Sequence, residues 1–181
     1  MLRRFWDYLI LCLVAGGVIA LDQWTKSLVR ARLQFGEIWT PYQWLEPYAR
    51  IVHWKNTGAA FGMLPGFSDL FTILAIVVAV AILYYLPQIP QQDWLLRLAL
   101  GLQLGGAVGN LIDRLTIGSV TDFISIGSFP VFNIADASIS TGVVVLLLGI
   151  WWKERQQKAS PLPEDANSST ETLPESREDV R

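Results

Sequence analysis

The sequence has little charge and almost none of the residues that build metal or disulfide centres. Only 17% of its 181 residues are charged, whereas soluble domains usually carry about a quarter. Its one cysteine, Cys12, excludes a disulfide within the chain and is expected to be a small buried hydrophobe. Its one histidine, His53, excludes a zinc site that needs two histidines. We therefore predict neither a metal site nor a cofactor.

Positive charge is scarce as well, and the small net charge comes from the C-terminus. The formal charge is −2, but six acidic and two basic residues follow Ala159, which leaves twelve basic against ten acidic residues before it. Because this part of the chain is close to neutral, it has too little positive charge for a nucleic-acid-binding surface. The Ser-, Pro- and Glu-rich segment 159–181 is predicted to be a disordered cytoplasmic tail.

Apolar residues, by contrast, make up 52% of the chain and gather in four long segments. These segments lie at about residues 8–28, 70–86, 94–112 and 134–152. A helix needs roughly 20 residues to cross the hydrocarbon core of a bilayer. The predicted fold class is therefore an all-α membrane protein, with four transmembrane helices in one domain that covers residues 1–158.

The first segment has a second interpretation, because MLRR, an apolar run and VIA also resemble a cleavable signal peptide. Asp22 and Lys26 lie four residues apart, so on a helix they share a face and can pair. This pairing favours one continuous helix that stays in the protein.

The segment 30–69 is rich in aromatic residues, glycine and proline. RIVHW at 50–54 indicates a short strand, and NTGAAFG at 56–62 indicates a turn-rich loop. Because tryptophan and tyrosine prefer the membrane interface, we expect a small β-cradle on the outer face of the membrane. Four spans put both termini on one side, and the basic residues that flank the termini favour the cytoplasm for that side.

Nine polar residues fall at one end of these spans or in the connections there. They are Asp22, Lys26, Asn56, Asn110, Asp113, Arg114, Asp122, Asn133 and Asp136. Ionisable groups in or near a bilayer are costly and usually functional. Two pairs have a structural alternative: Asp22 with Lys26 as an ion pair, and Asp113 with Arg114 as an ion pair that ends a helix.

Asn133, Asp136 and Asp122 also have structural alternatives. Asn133 suits a helix N-cap, Asp136 suits the first turn of the same helix, and Asp122 suits a turn. If the two aspartates lie close together, however, one of them keeps its proton near neutral pH. The ionised carboxylate then activates a water, and the protonated one donates to the carbonyl oxygen of a scissile peptide bond. A spacing of fourteen residues does not by itself bring them together.

Five blocks of the sequence, in order, resemble the lipoprotein signal peptidases (signal peptidase II) of bacterial membranes. The blocks are LDQWTK (21–26), NTGAAFG (56–62), GGAVGNLIDR (105–114), VTDFI (120–124) and FNIADASI (132–139). The resemblance implies an intramembrane aspartyl endopeptidase that cleaves prolipoproteins before a cysteine carrying a diacylglyceryl group. It also implies a place in the bacterial inner membrane, with cytoplasmic termini and an active site towards the periplasm.

The same resemblance implies a role for every one of the nine polar residues. The roles are catalytic for Asp122 and Asp136; substrate-binding or supporting for Asn56, Asn110, Arg114 and Asn133; and structural for Asp22, Lys26 and Asp113. The partners that it implies are diacylglyceryl-modified prolipoproteins and membrane lipids, and we expect a monomer.

Three other functions fit some of these features. A small ion or proton-coupled transporter would place charges near the membrane midplane and show internal repeats. A serine intramembrane protease would need a serine and a histidine on facing helices, whereas His53 lies in the long loop. A non-catalytic assembly protein would tolerate Asp122→Asn and Asp136→Asn, and a protease would not.

Overall fold

Four long helices dominate the computed structural model, which describes residues 2–58 and 68–159. They are α1 (Leu2–Arg32), α2 (Ser68–Tyr85), α3 (Trp94–Ile117) and α4 (Ile134–Ala159). Each is long and apolar enough to cross a membrane, by length and composition. Together with a small sheet, they confirm the predicted fold class. The end of the predicted cradle and nearly all of the predicted tail lie outside the described residues.

Three helices continue past the ends of the apolar segments that predict them. α1 runs on to Arg32, α3 to Ile117 and α4 to Ala159. α3 ends where Gly118 adopts a left-handed conformation with φ 75°, and the Gly118 N–H donates to the carbonyl oxygen of Arg114 at 3.2 Å. Hydropathy falls at the first charged residues, whereas the hydrogen-bonded helix continues until a residue caps it.

α3 lies at the centre of the bundle and contacts each of the other three helices. Gly101, Gly105 and Gly109 of α3 turn towards α1. A Cβ on Gly105 would lie 2.6 Å from the Cβ of Val18 and 2.9 Å from the carbonyl oxygen of Ala15. Small residues let helices approach closely in lipid, where no hydrophobic effect drives them together. The glycine stripe is therefore what brings the charged end of α1 against α3.

Glycines also hold α4 against α3. A Cβ on Gly106 of α3 would collide with the carbonyl oxygen of Ala135, in the first turn of α4. Further along α4, a Cβ on Gly142 would lie 2.8 Å from Cγ of Gln103. These two contacts fix the start of α4 at the level of the polar end of α3.

A three-stranded antiparallel sheet covers that end of the bundle. The strands β1 (Ile38–Trp39), β2 (Ala49–Asn56) and β3 (Val120–Ile126) lie in this order. The strand predicted at 50–54 is confirmed within β2. β3 forms the connection between α3 and α4, so Asp122 is a strand residue and its interpretation as a turn residue is wrong.

The chain folds back on β3 before α4 begins. The N–H of Phe132 donates to the carbonyl oxygen of Ile124 at 3.0 Å, and the N–H of Ile124 donates in return at 2.8 Å. Because α4 starts at Ile134, this bridge places the start of α4 beside Asp122. A separation of fourteen residues in sequence thereby becomes a close approach in space.

The start of α1 and the end of α4 lie at the opposite end of the bundle. The hydroxyl of Tyr8 donates to the carbonyl oxygen of Leu83 at 3.3 Å, near the end of α2. Lys153 of α4 pairs with Asp93, in the short connection between α2 and α3. One end of the molecule therefore carries the start of α1 and the end of α4, and the other end carries the sheet.

Cys12 lies exposed on α1, so the prediction that it is buried is wrong. The apolar character of a residue predicts burial only where the surroundings are water. On a helix that crosses a bilayer, the outward face meets hydrocarbon, and an apolar residue is as stable there as inside the bundle.

Candidate active site

Each of the four carboxylate oxygens of Asp122 and Asp136 accepts a hydrogen bond. Oδ1 of Asp122 accepts from Nδ2 of Asn133 at 2.6 Å, and Oδ2 accepts from Nδ2 of Asn56 at 2.9 Å. Oδ1 of Asp136 accepts from Nδ2 of Asn110 at 2.7 Å, and Oδ2 accepts from the N–H of Asn133 at 3.3 Å. The structure thus brings both predicted aspartates together with three of the predicted supporting residues.

The orientation of each asparagine amide is set by a bond to its own oxygen. The Gly58 N–H donates to the side-chain oxygen of Asn56, and the Lys26 ammonium donates to that of Asn110. The Asp136 N–H donates to that of Asn133, and each of the three distances is 2.9 Å. An amide oxygen can only accept and an amide NH₂ can only donate. The NH₂ groups are therefore held towards the carboxylates.

Asn133 and Asp136 also cap α4. The side chain of Asn133 accepts from the N–H of Asp136, and the side chain of Asp136 accepts from the N–H of Asn133. This reciprocal pair is a capping box, with aspartate in place of glutamate. The capping interpretation of both residues is confirmed, and it does not compete with a role in the site. The capping bonds do not use Nδ2 of Asn133, which donates to Asp122, or Oδ1 of Asp136, which accepts from Asn110.

The register of β2 and β3 explains the contact between Asn56 and Asp122. Asn56 lies opposite Val120, and Trp54 lies opposite Asp122. Alternate residues of a strand share a face, so Asn56 and Asp122 are diagonal neighbours on one face of the sheet. The sheet therefore carries one aspartate and its amide partner, and α3 and α4 carry the rest.

A buried charge cluster lies next to the aspartate pair. Lys26 is 0% exposed, and its Nζ lies 2.8 Å from Oδ2 of Asp22 and 3.5 Å from Oδ2 of Asp113. The predicted Asp22–Lys26 ion pair is confirmed. Within the described residues Asp113 forms its ion pairs with Lys26 and Arg30, the latter at 3.4 Å, so its interpretation as the partner of Arg114 is wrong. Among all the residues that the structure describes, no group of three or more His, Cys, Asp or Glu could hold a metal ion.

The two carboxylates of this cluster position the elements that carry the aspartate pair. Oδ1 of Asp22 accepts from the N–H of Ala135, in the first turn of α4, at 2.9 Å. Oδ2 of Asp113 accepts from the N–H of Thr121, beside Asp122 in β3, also at 2.9 Å. Lys26, whose charge offsets theirs, donates to the side-chain oxygen of Asn110. The NH₂ group of Asn110 in turn donates to Asp136, so one amide links Lys26 to Asp136.

Three residues of this network were missed from the sequence: Gln23, Arg30 and Thr121. Nε2 of Gln23 donates to the carbonyl oxygen of Gly109 at 3.0 Å and contacts both carboxylates of the cluster at 3.2 Å. Nη1 of Arg30 donates to Oγ1 of Thr121 at 2.9 Å. Arg30 follows Lys26 by four residues, so the helical spacing that marks Asp22 and Lys26 also marks it. No spacing rule marks Gln23 or Thr121, because their contacts depend on how the elements pack.

A cavity of about 790 Å³ opens beside the pair, between α2, α3, α4 and the loop before α4. Asn56, Asn110, Arg114 and Asp136 are among its polar lining residues, and most of the remaining wall is apolar. The guanidinium of Arg114 lies 5.7 Å from the centre of the Phe71 ring. A largely apolar cleft with a few converging polar groups is the usual form of a ligand site.

Asp122 is only 1% exposed, and its burial governs its protonation. Burial raises the pKa of Asp122 to about 7, and the nearby carboxylate of Asp136 raises it as well. Hydrogen bonds from Asn56 and Asn133 and the charge of Lys26 lower the pKa of the same carboxyl. Near neutral pH this aspartate therefore gains or loses a proton easily, which is what acid–base chemistry requires.

Comparison with known proteins adds an independent result. A family model described as signal peptidase (SPase) II matches residues 14–152. A lipoprotein signal peptidase of Anoxybacillus flavithermus is 40% identical over 161 residues, which cover 87% of this chain and 93% of that protein. One of Geobacillus thermodenitrificans is 41% identical over 152 residues, covering 82% and 93%. A bacterial membrane enzyme solved by the in meso method at 2.3 Å resolution has a TM-score of 0.76 and 30% identity, covering 84% of this chain and 94% of its own.

Proposed function

The chain belongs to the signal peptidase II family, and on that premise we propose that it removes the signal peptide from diacylglyceryl-modified prolipoproteins with a water held by Asp122 and Asp136. The single observation that carries the proposal is the convergence of these two carboxylates on one set of amides beside a cavity. Two carboxylates that share this hydrogen-bonded surrounding can hold one proton between them, which is the arrangement that acid–base cleavage of a peptide bond uses.

The two aspartates divide the acid and base roles. Asp136 lines the cavity and, ionised, takes a proton from the water whose oxygen attacks the scissile carbonyl carbon. Asp122 has a pKa raised to about 7, so it is protonated below that pH and gives its proton to the carbonyl oxygen. In the second step Asp136 passes its proton to the leaving nitrogen, the C–N bond breaks, and Asp122 recovers its proton from the collapsing intermediate.

Arg114 supplies positive charge to this chemistry. Its guanidinium lines the cavity with Asp136 and is attracted by both aspartates. It is placed to orient the substrate and to stabilise negative charge that develops on the carbonyl oxygen.

The position of the site suits a lipid-modified substrate. The diacylglyceryl chains stay in the bilayer, so the cysteine that carries them is held at the interface, at the polar end of the four spans. The site then faces the periplasm if the termini are cytoplasmic, as the basic residues that flank them favour. Nothing in this reaction requires more than a monomer.

The test is cleavage of a diacylglyceryl-modified prolipoprotein by the purified protein in detergent. Asp122→Asn and Asp136→Asn should each lower kcat/KM by about 10³-fold or more, because each removes one partner of the acid–base pair. Thermal unfolding of both variants checks that they fold, and EDTA should leave the wild type active. Full activity in either variant would refute the two-aspartate mechanism.

A further inference from the structure

One residue in the wall of the cavity carries a polar group that the proposed chemistry does not use. Nε2 of Gln103 is buried and has no hydrogen-bond partner within the residues that the structure describes. Gln103 lines the same cavity as Asn110 and Asp136. A buried amide NH₂ that has no acceptor is unfavourable.

Gln103 lies deeper in the membrane than the aspartate pair. It precedes Asn110 by seven residues on α3, which is two helical turns, or about 10 Å along the axis. The direction is away from the sheet and towards the short connection between α2 and α3. Gln103 therefore lies beside the part of a substrate that enters the bilayer, and not beside the scissile bond.

The stem of Gln103 is held in place by close packing. A Cβ on Gly142 of α4 would lie 2.8 Å from Cγ of Gln103 and 3.3 Å from its backbone nitrogen. Only glycine at 142 leaves room for this side chain between α3 and α4. The stem that carries the amide therefore packs directly against the backbone of α4 at Gly142.

We propose that Gln103 determines specificity by donating a hydrogen bond from Nε2 to a carbonyl oxygen of the bound prolipoprotein, two turns below Asp122 and Asp136. This rests on the proposed function of the site. Two parts of that substrate offer such an oxygen within the bilayer: the ester groups of the diacylglyceryl moiety, and the backbone of the signal peptide where it is extended. In both parts the carbonyl oxygen lacks a hydrogen-bond donor within the bilayer, and either oxygen would satisfy the buried amide.

The experiment compares wild type with Gln103→Met on two substrates of the same peptide sequence. One substrate carries the ester-linked diacylglyceryl group, and the other carries a dialkylglyceryl group with ether links and no carbonyl. Methionine keeps about the length and volume of glutamine and removes both the NH₂ donor and the Oε1 acceptor of the amide. Gln103→Met should lower kcat/KM on the ester substrate about tenfold, the usual effect of one lost hydrogen bond. Gln92→Met, in the exposed connection between α2 and α3, is the matched control.

The ether substrate identifies the acceptor. If an ester oxygen accepts the bond, wild type should cleave the ether substrate about as slowly as Gln103→Met does, and the substitution should have no further effect on it. If a backbone oxygen accepts it, the tenfold loss should occur on both substrates. Either result supports the proposal, and unchanged kcat/KM on both substrates would overturn it.

Thermal unfolding separates recognition from damage to the fold. Because Gln103→Met removes an unpaired buried amide, the variant should unfold at the same or a higher temperature than wild type. A fall in the unfolding temperature together with lost activity would overturn the proposal, and Gln103→Leu would repeat the test with a second apolar side chain. Failure of the proposed function itself would be seen separately, as full activity of Asp122→Asn.

Discussion

At the scale of single residues, the nearest neighbours of Asp122 and Asp136 are amides, and the fully buried cation lies one residue further away. Asn110 stands between Lys26 and Asp136, accepting from one and donating to the other. An ammonium in direct contact would favour the ionised form of both carboxylates. Amides support the ionised form less strongly, so the pair can retain one proton near neutral pH.

Cleavage should therefore fall as the pH rises through about 7. The pKa of Asp122 is raised, so its proton is present below that pH and is lost above it. Asn56→Ala removes a hydrogen bond that lowers this pKa, which should move the alkaline limb of the kcat/KM profile to higher pH by about one unit. A limb that stays in place or moves to lower pH would contradict the assignment of this limb to Asp122.

Lys26 should be a major determinant of stability. Lys26→Met leaves Asp22 and Asp113 buried without their shared cation, and breaking a buried ion pair in this way costs about 3–5 kcal/mol. The free energy of unfolding in detergent should fall by that amount, while Lys158→Met, on the exposed last turn of α4, should leave it unchanged. Equal stability of the two variants would mean that the cluster does not hold the elements together.

At the scale of elements, the contact between α1 and α3 depends on the absence of side chains. Gly105→Ala would press a methyl group against Val18 and Ala15, and α1 would have to move outward. Overpacking of this kind costs about 1–3 kcal/mol.

Gly16→Ala is the matched control, because nothing lies within 4 Å of the added carbon. It should leave the unfolding temperature unchanged or raise it slightly, since alanine favours a helix more than glycine does. Gly105→Ala should lower it, and should also reduce cleavage, since Asp22 and Lys26 move with α1. Equal unfolding temperatures would show that the two helices are not held at this glycine.

The return of the chain after β3 is the element that assembles the site. The bridge between Ile124 and Phe132 aligns the start of α4 with the middle of β3. Neither VTDFI nor FNIADASI contains a signal for this pairing, because the pairing depends on the loop between them and on Asp113 holding Thr121. The motifs thus predict which residues form the site, and only the fold determines how these residues are arranged.

At the scale of the whole molecule, the sheet lies at one end of the helix bundle. The first residues of α1 and the last residues of α4 lie at the opposite end. A bilayer around the four spans would separate these ends. We expect the sheet to be periplasmic and the other end cytoplasmic, because the short flanks beside the spans carry basic residues such as Arg4 and Lys153.

Cysteine labelling in intact cells checks this orientation. In a Cys12→Ser background, Trp44→Cys lies in the sheet region at a site that is 69% exposed, and Lys158→Cys lies at the opposite end. A maleimide that reaches only the periplasm should label the first, and should label the second only after the inner membrane is permeabilised. The reverse pattern would place the candidate site in the cytoplasm.

The sequence by itself determined most of what depends on neighbours along the chain. Hydropathy marked four spans, helical spacing paired Asp22 with Lys26, and local preference made Asn133 a cap. Each of these follows from a period or a terminus within one element, so no packing is needed to infer it.

Only the tertiary structure decided what depends on contacts between elements. It brought Asp122 to Asp136, and it paired Asp113 with Lys26 instead of Arg114. Among the described residues, it left Nε2 of Gln103 without a hydrogen-bond partner. Such contacts arise from glycine-mediated helix packing and from one backbone bridge. Their geometry is a property of several elements at once, and no local pattern in the chain contains it.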